Sequence, residues 1–311
     1  FKVLDMNIRK IIIGLALSML LGSGVAVAAD FDKGLKAYNS QNYKAALEEW
    51  LPLAEQGHAF SQHNLGFMYN NGYGVLQNHK TAFKWYSLSA EQGYSLAQRS
   101  LGLMYRAGNG VLQNDKTAIK WYTLSAEQGH SLAQFNLGYM YHYGKGVVAN
   151  PSAALKWFTL AAEQGHVIAQ TSLGGIYSRG LGVLKNDETA VKWFTLSAEQ
   201  GYALAQYNLG VFYMAGMGVL KNSKTAVKWY TLAAKQGNNK AQANLGVMFM
   251  NGDGVLQDYK RAYMWSNLAA DNGNKLAPDN QDKLSKKLTP ADISIAQDMS
   301  SRCLESNYTD C

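Results

Sequence analysis

The chain has 311 residues, 47% of them hydrophobic and 16% charged, with a formal net charge of +7. That balance excludes a disordered chain, and 30 glycines against 4 prolines exclude collagen and proline-rich linkers. Glycine used so regularly points instead to internal repeats.

The chain opens on what reads as an export signal. Arg9 and Lys10 precede an apolar run from Ile11 to Leu21, and Ala26-Val27-Ala28 supplies the small residues of a cleavage site, with Met6 as the start. The run is too short, and its exit too rich in small residues, for a membrane span. Residues 1–29 are assigned to a signal peptide, so the mature chain is expected in the periplasm or outside the cell and not spanning the membrane. Its charge would fall from +7 to about +5 without Lys2, Asp5, Arg9 and Lys10.

Residues 30–57 follow as an N-terminal capping hairpin. From there Gln-Gly recurs at Gly57, Gly93, Gly129, Gly165, Gly201 and Gly237, then as Asn272-Gly273, every 36 residues. Six units result, 58–93, 94–129, 130–165, 166–201, 202–237 and 238–273, each with Leu-Gly, a Gly-x-Gly-Val loop and one tryptophan of the series Trp85, Trp121, Trp157, Trp193, Trp229 and Trp265. In the second unit Ala97, Leu101, Met104 and Tyr105 form one apolar stripe, predicting a helix A over about 95–107. Gly108-Asn109-Gly110 breaks that pattern as a turn. Asn114-Asp115 supplies a cap, Ala118, Trp121, Leu124 and Ala126 restart helical spacing in a helix B, and Gly129 ends it. After Gly273 the repeat is lost, and residues 274–311 are expected to cap the other end through a last helix opened by Thr289-Pro290 and carrying Ile293, Ile295, Ala296 and Met299. A single hairpin cannot bury its apolar face, whereas stacked neighbours can.

The pattern Ala-x-x-x-Leu-Gly-x-Met-Tyr-x-x-Gly-x-Gly-Val, followed by Ala-x-x-Trp-Tyr-x-x-Ala-Ala-Glu-Gln-Gly, resembles the Sel-1-like repeat, a longer relative of the tetratricopeptide repeat. The resemblance covers residues 58–273 closely and 31–57 weakly, at Tyr43-Lys44-Ala45-Ala46 and Ala54-Glu55-Gln56-Gly57. It implies an all-α fold, a right-handed α/α superhelical solenoid of antiparallel helix pairs. Relatives use it mostly as an adaptor or scaffold in bacterial envelopes and in host contact.

Comparing the six units separates positions the fold fixes from positions it leaves free. On helix A the near-invariant columns share one arc, and four divergent columns form a second stripe. From that stripe His63, Phe67, Arg99, Leu103, Arg106, Phe135, Tyr139, His142, Tyr143, Arg179, Tyr207 and Met214 are the candidate partner-binding residues of a concave face. Aromatic, arginine and methionine side chains on a face that stacking does not demand offer contact area and directional hydrogen bonds. The competing reading is ordinary packing between hairpins with a solvated surface.

Other features point to structure. The Gly-x-Gly loops lack the strand and the Gly-Lys-Ser/Thr of a phosphate cradle. The tryptophans read as stacking between hairpins. Lys80, Lys84, Lys116 and Lys120 read as a solvated outer face. His58, His130 and His166 share one repeat position on different hairpins, which does not make a metal site. No catalytic motif stands out, so the chain is read as non-enzymatic, with no metal and no cofactor. Export and a modest charge argue against nucleic acid, and capped ends favour a monomer. Cys303 and Cys311, if paired, would close a small loop worth ~2.5 kcal/mol. The expected function is an envelope scaffold binding a protein or peptide. The alternative is β-lactam binding or weak hydrolysis, as in cysteine-rich secreted relatives, whose paired cysteines within each repeat are missing here.

Overall fold

The structure, a computed structural model, describes residues 29–309 and 311, so the expected signal peptide lies outside the described residues except for Ala29. Among the described residues there are sixteen helices and no strand. A short hairpin of α1 (Phe31–Asn39) and α2 (Tyr43–Glu55) comes first. Six longer hairpins follow: α3 (Ala59–Asn71) with α4 (His79–Glu91), α5 (Ser95–Ala107) with α6 (Asp115–Glu127), and α7 (Ser131–Tyr143) with α8 (Pro151–Glu163). The series continues with α9 (Val167–Arg179) and α10 (Asp187–Glu199), α11 (Ala203–Ala215) and α12 (Ser223–Ala234), and α13 (Asn239–Asn251) and α14 (Tyr259–Asp271). The chain closes with α15 (Ala277–Ser285) and α16 (Pro290–Glu305). Through α14 each helix packs chiefly on the one before and the one after it, which makes the all-α molecule a solenoid, and α15 and α16 both pack on α14.

The same local chemistry fixes each hairpin. α5 ends on Gly108, whose φ of 76° is left-handed and whose N–H donates to the Met104 carbonyl. Two residues on, Gly110 lies against the start of α4 so closely that a Cβ would overlap the His79 carbonyl. The loop is thus a turn that also joins neighbouring hairpins. Asn114 then caps α6, its Oδ1 accepting the Thr117 N–H at 3.0 Å. Asn78, Asn150, Asn186, Asn222 and Asp258 cap the other second helices in the same way. The first helices α3, α7 and α9 are capped by His58, His130 and His166 through Nδ1.

The apolar cores straddle the repeat boundaries. Ala82, Tyr86 and Ala90 of α4 pack with Ala97, Leu101 and Met104 of α5, and Trp121 of α6 lies against that cluster. The residue after each tryptophan goes deepest: Tyr122 is fully buried, its ring filling the space that a Cβ on Gly102 would need. The tryptophans of the first five long hairpins are half-buried staples onto the preceding cluster. Trp265 is buried because α14 is covered by α15 and α16, with Cys303 and Met299 in the same cluster. In the first, shortened hairpin Trp50 takes the place of Tyr86, packed on Gly34 and donating Nε1–H to the Phe31 carbonyl.

A buried polar chain runs through the same interfaces. Gln98 donates to the Ala90 carbonyl of the preceding hairpin and accepts from Gln128 at the end of its own. The link repeats with Gln62 and Gln92, Gln134 and Gln164, Gln170 and Gln200, and Gln206 and Gln236. In the last hairpin Asn272 replaces the second glutamine, donating to Gln242 and to the Tyr308 hydroxyl at 2.8 Å. The C-terminal segment therefore terminates the chain of bonds. In α16, capped by Thr289, Ala296 is buried and Met299 half-buried, but Ile295 is exposed, contrary to the apolar face expected of it. Buried Cys303 has its Cα 4.9 Å from that of Cys311, with the two sulfurs facing each other.

Candidate functional site

The divergent stripe runs along the first helices of the hairpins, and its four columns differ in depth. The innermost column inserts between hairpins. His63 sits between the rings of Tyr86 and Tyr94, at 5.4 and 5.2 Å. Phe135 stacks on His166 at 4.6 Å, Thr171 bonds the Ser197 hydroxyl at 2.7 Å, and Tyr207 lies 6.0 Å from Tyr230. Arg99 is half-buried at the same level. This column is therefore largely packing, and the expectation of a wholly open face is corrected for it.

The outer columns are more open. Phe67 is 39% exposed and Tyr143 58% exposed, and Arg179 is exposed, with its Nε donating to the Gly175 carbonyl. Over the third hairpin four candidates form one continuous patch. The Arg106 guanidinium lies 4.9 Å over the Tyr139 ring, Tyr139 is 4.5 Å from Tyr143, and His142 meets Tyr143 edge-on at 4.6 Å. The remaining candidates stand apart. Phe67 joins Tyr38 and Tyr73 at the N-terminal end, Leu103 backs the core around Tyr122, and Met214 packs between the last two long hairpins. Next to Tyr207 a cavity of ≈ 490 Å³ opens between Lys240, Asn244, Asn274 and Lys275.

Electrostatically this side is one-signed. No Asp or Glu occurs in α3, α5, α7, α9, α11 or α13, which carry Arg99, Arg106, Arg179 and Lys240. Burial lowers the His63 pKa to about 4, helped by the positive charge of Arg99 against an opposing hydrogen bond from Asn64. Burial and then Arg179 lower that of His142. Burial pushes the Tyr122 hydroxyl up to about 12, although Arg106 and Arg99 pull the other way.

The opposite, outer face carries the lysines. Lys80, Lys84, Lys116 and Lys120 are exposed, and the later Lys156 and Lys228 lie 5.0 and 5.8 Å over the rings of Trp157 and Trp229. Two features escape a reading by helical spacing. One is the glutamine chain, whose signal was an invariant polar residue on an otherwise apolar arc. The other is a row of aliphatic side chains in the turns, Leu76, Leu112, Val148, Leu184, Leu220 and Leu256, each at least 86% exposed. Their signal is a fixed place after Gly-x-Gly-Val. Among the described residues no group of three or more His, Cys, Asp or Glu side chains is gathered as a metal would require, nor is any helix long and apolar enough to cross a membrane.

The hairpins match the family model described as Sel1 repeat six times, over residues 59–94, 95–130, 131–166, 167–202, 203–238 and 239–274. No curated protein matches the chain. A protective antigen of uropathogenic Escherichia coli strains, c5321, which displays an SLR fold, is 34% identical with a TM-score of 0.59, over 89% of this chain and 69% of that one. A Sel1 repeat protein from Oxalobacter formigenes is 32% identical with a TM-score of 0.70, over 78% of this chain and 97% of that one. Six consecutive matches on a structure built from six equivalent hairpins place the chain in the Sel1 repeat family.

Proposed function

We propose that this chain is a non-enzymatic scaffold of the bacterial envelope that binds a partner protein or peptide on the face formed by the first helices of its hairpins. The observation that carries the reading is the patch of Arg106, Tyr139, His142 and Tyr143, an uninterrupted run of one guanidinium and three rings in which Tyr139 backs onto two apolar cores while Tyr143 stands exposed. Planar side chains with few rotatable bonds give large contact area at low entropic cost, which suits them to recognition. Periplasmic or secreted placement is supported by the signal-like segment before Ala29 and by Cys303 and Cys311, which we read as a disulfide of an oxidising compartment. We read the chain as a monomer, because both ends of the repeat array are covered by helices outside it.

The test is crosslinking in cells followed by capture of the tagged chain. The double variant Tyr139→Ala/Tyr143→Ala is expected to lose its crosslinked partner while keeping wild-type helicity, with a lower melting temperature because Tyr139 backs onto two cores; the exposed Tyr143→Ala alone is expected to weaken capture at unchanged melting. Recovery equal to wild type would refute the face.

A further inference from the structure

We infer that the arginines of the second hairpin form a carboxylate site, and that the ligand is an extended acidic peptide segment with apolar residues between its acidic ones. This deepens the reading above and rests on it. Arg99 and Arg106 stand on α5, and neither belongs to an ion pair among the described residues. Desolvating a guanidinium without a counter-charge is costly, so the fold by itself gives no reason for Arg99 to be half-buried. Its Nε is inaccessible and has no hydrogen-bond partner, and the same is true of the Asn136 amide nitrogen, while the buried Tyr122 hydroxyl has only Arg106 within reach. Asn136 is 7% exposed and Tyr122 fully buried.

These orphans converge. Both arginines act electrostatically on Tyr122, and Arg106 also hydrogen-bonds it, a neutral partner that leaves the guanidinium charge uncompensated. Asn136 holds the repeat position from which Ser100 reaches Tyr86 and Asn244 reaches Tyr230, which sets it opposite Tyr122. Asp115 also acts on Tyr122 but pairs with neither arginine. An anion arriving from outside supplies the missing counter-charge, and guanidinium–carboxylate pairs in a partly dry site are the strong ones.

The surroundings select a peptide over a uniform polyanion. Tyr139 lies under Arg106 and Tyr143 beside Tyr139, and a chain of phosphates would leave these rings uncovered. Arg99 and Arg106 are seven residues apart on one helix, roughly 10.5 Å along its axis. Carboxylates three residues apart on a polyproline-like backbone are separated by about 9 Å, so one extended segment engages both.

The experiment is fluorescence anisotropy of the whole mature chain with a labelled peptide of about 12 residues, roughly 37 Å when extended, in which Glu recurs every third residue between Leu, Phe and Pro. The comparisons are the same peptide with Lys for Glu, and polyphosphate of equal charge. The Glu peptide is expected to bind at least about tenfold more tightly than the Lys peptide, and Arg99→Gln/Arg106→Gln to weaken it by about tenfold with a shallower salt dependence and unchanged helicity. If Arg99→Gln alters folding, Arg106→Gln alone carries the test, with a loss of at least about threefold. Absence of Glu-peptide binding, equal binding of the two peptides, or equally tight, arginine-dependent binding of polyphosphate overturns the inference. Should the tyrosine variant lose its crosslinked partner while the arginine variants capture it like wild type, this inference fails and the scaffold reading stands. Should none of the variants affect capture, both fail.

Discussion

His63 shows how a side chain that varies between repeats can still be held by the fold. It lies between two tyrosine rings, and the desolvation that keeps it neutral also makes it an acid-sensitive point. Its folded pKa, about 4, lies below the ordinary 6.5, so the unfolded chain binds the extra proton first. Its contribution to stability is therefore complete above pH 6.5 and is lost as pH falls from there toward 4, by up to about 3 kcal/mol. His130 and His166 act in the same direction, because burial lowers their pKa values and each accepts a backbone N–H through the unprotonated Nδ1. The variant His63→Phe, which copies the residue of the third repeat, is expected to show a flatter decline of melting temperature between pH 7 and 4.5 than wild type. Identical slopes would show that His63 is not desolvated.

At the scale of helices, the buried glutamines are the joints. Gln134 donates to the Ala126 carbonyl and accepts from Gln164, so Gln134→Ala removes a buried bond on each of two hairpins, leaving the Ala126 carbonyl with the Gly129 N–H and Gln164 with the Leu160 carbonyl. The expected cost is about 2–3 kcal/mol in urea unfolding with an unchanged m-value. A cost below about 0.5 kcal/mol would mean that water replaces these bonds. The exposed turn leucines make the contrast: Leu112→Ser combined with Leu220→Ser should leave unfolding unchanged, because these side chains are 88% and 91% exposed. The helices themselves were legible, since a 36-residue period, a left-handed glycine and an Asn or Asp cap mark the same boundaries six times. The glutamine chain was not, because a polar residue announces a surface unless its partner, 30 positions away in the case of Gln92 and Gln62, is known. The candidate face was legible only in part. A helical wheel gave the direction of Arg99 and Phe135, but the depth of each depends on how closely the next hairpin approaches. Likewise Trp121 and Tyr122 were adjacent aromatics, and only the empty site at Gly102 decides that the tyrosine goes inside.

For the whole molecule, stability is a sum over neighbouring contacts, so the ends matter more than the middle. α16 covers Met264, Trp265 and Leu268, and Tyr308 receives the last bond of the polar chain. Truncation after Leu288 should expose that cluster and, in hydrogen exchange, remove protection first from α13 and α14 while α3 to α8 stay protected. Uniform loss of protection along the array would show that it unfolds as a single cooperative unit. The glutamine joints have a further consequence for how such a molecule can change over generations. Because each hairpin offers its predecessor a donor and its successor an acceptor in the same geometry, excising one whole unit lets the two cut ends meet as compatible partners, whereas a shorter cut strands a polar group in the dry interior. The length of the molecule is thus free to vary in steps of one hairpin, and the reach of its ligand-facing side with it.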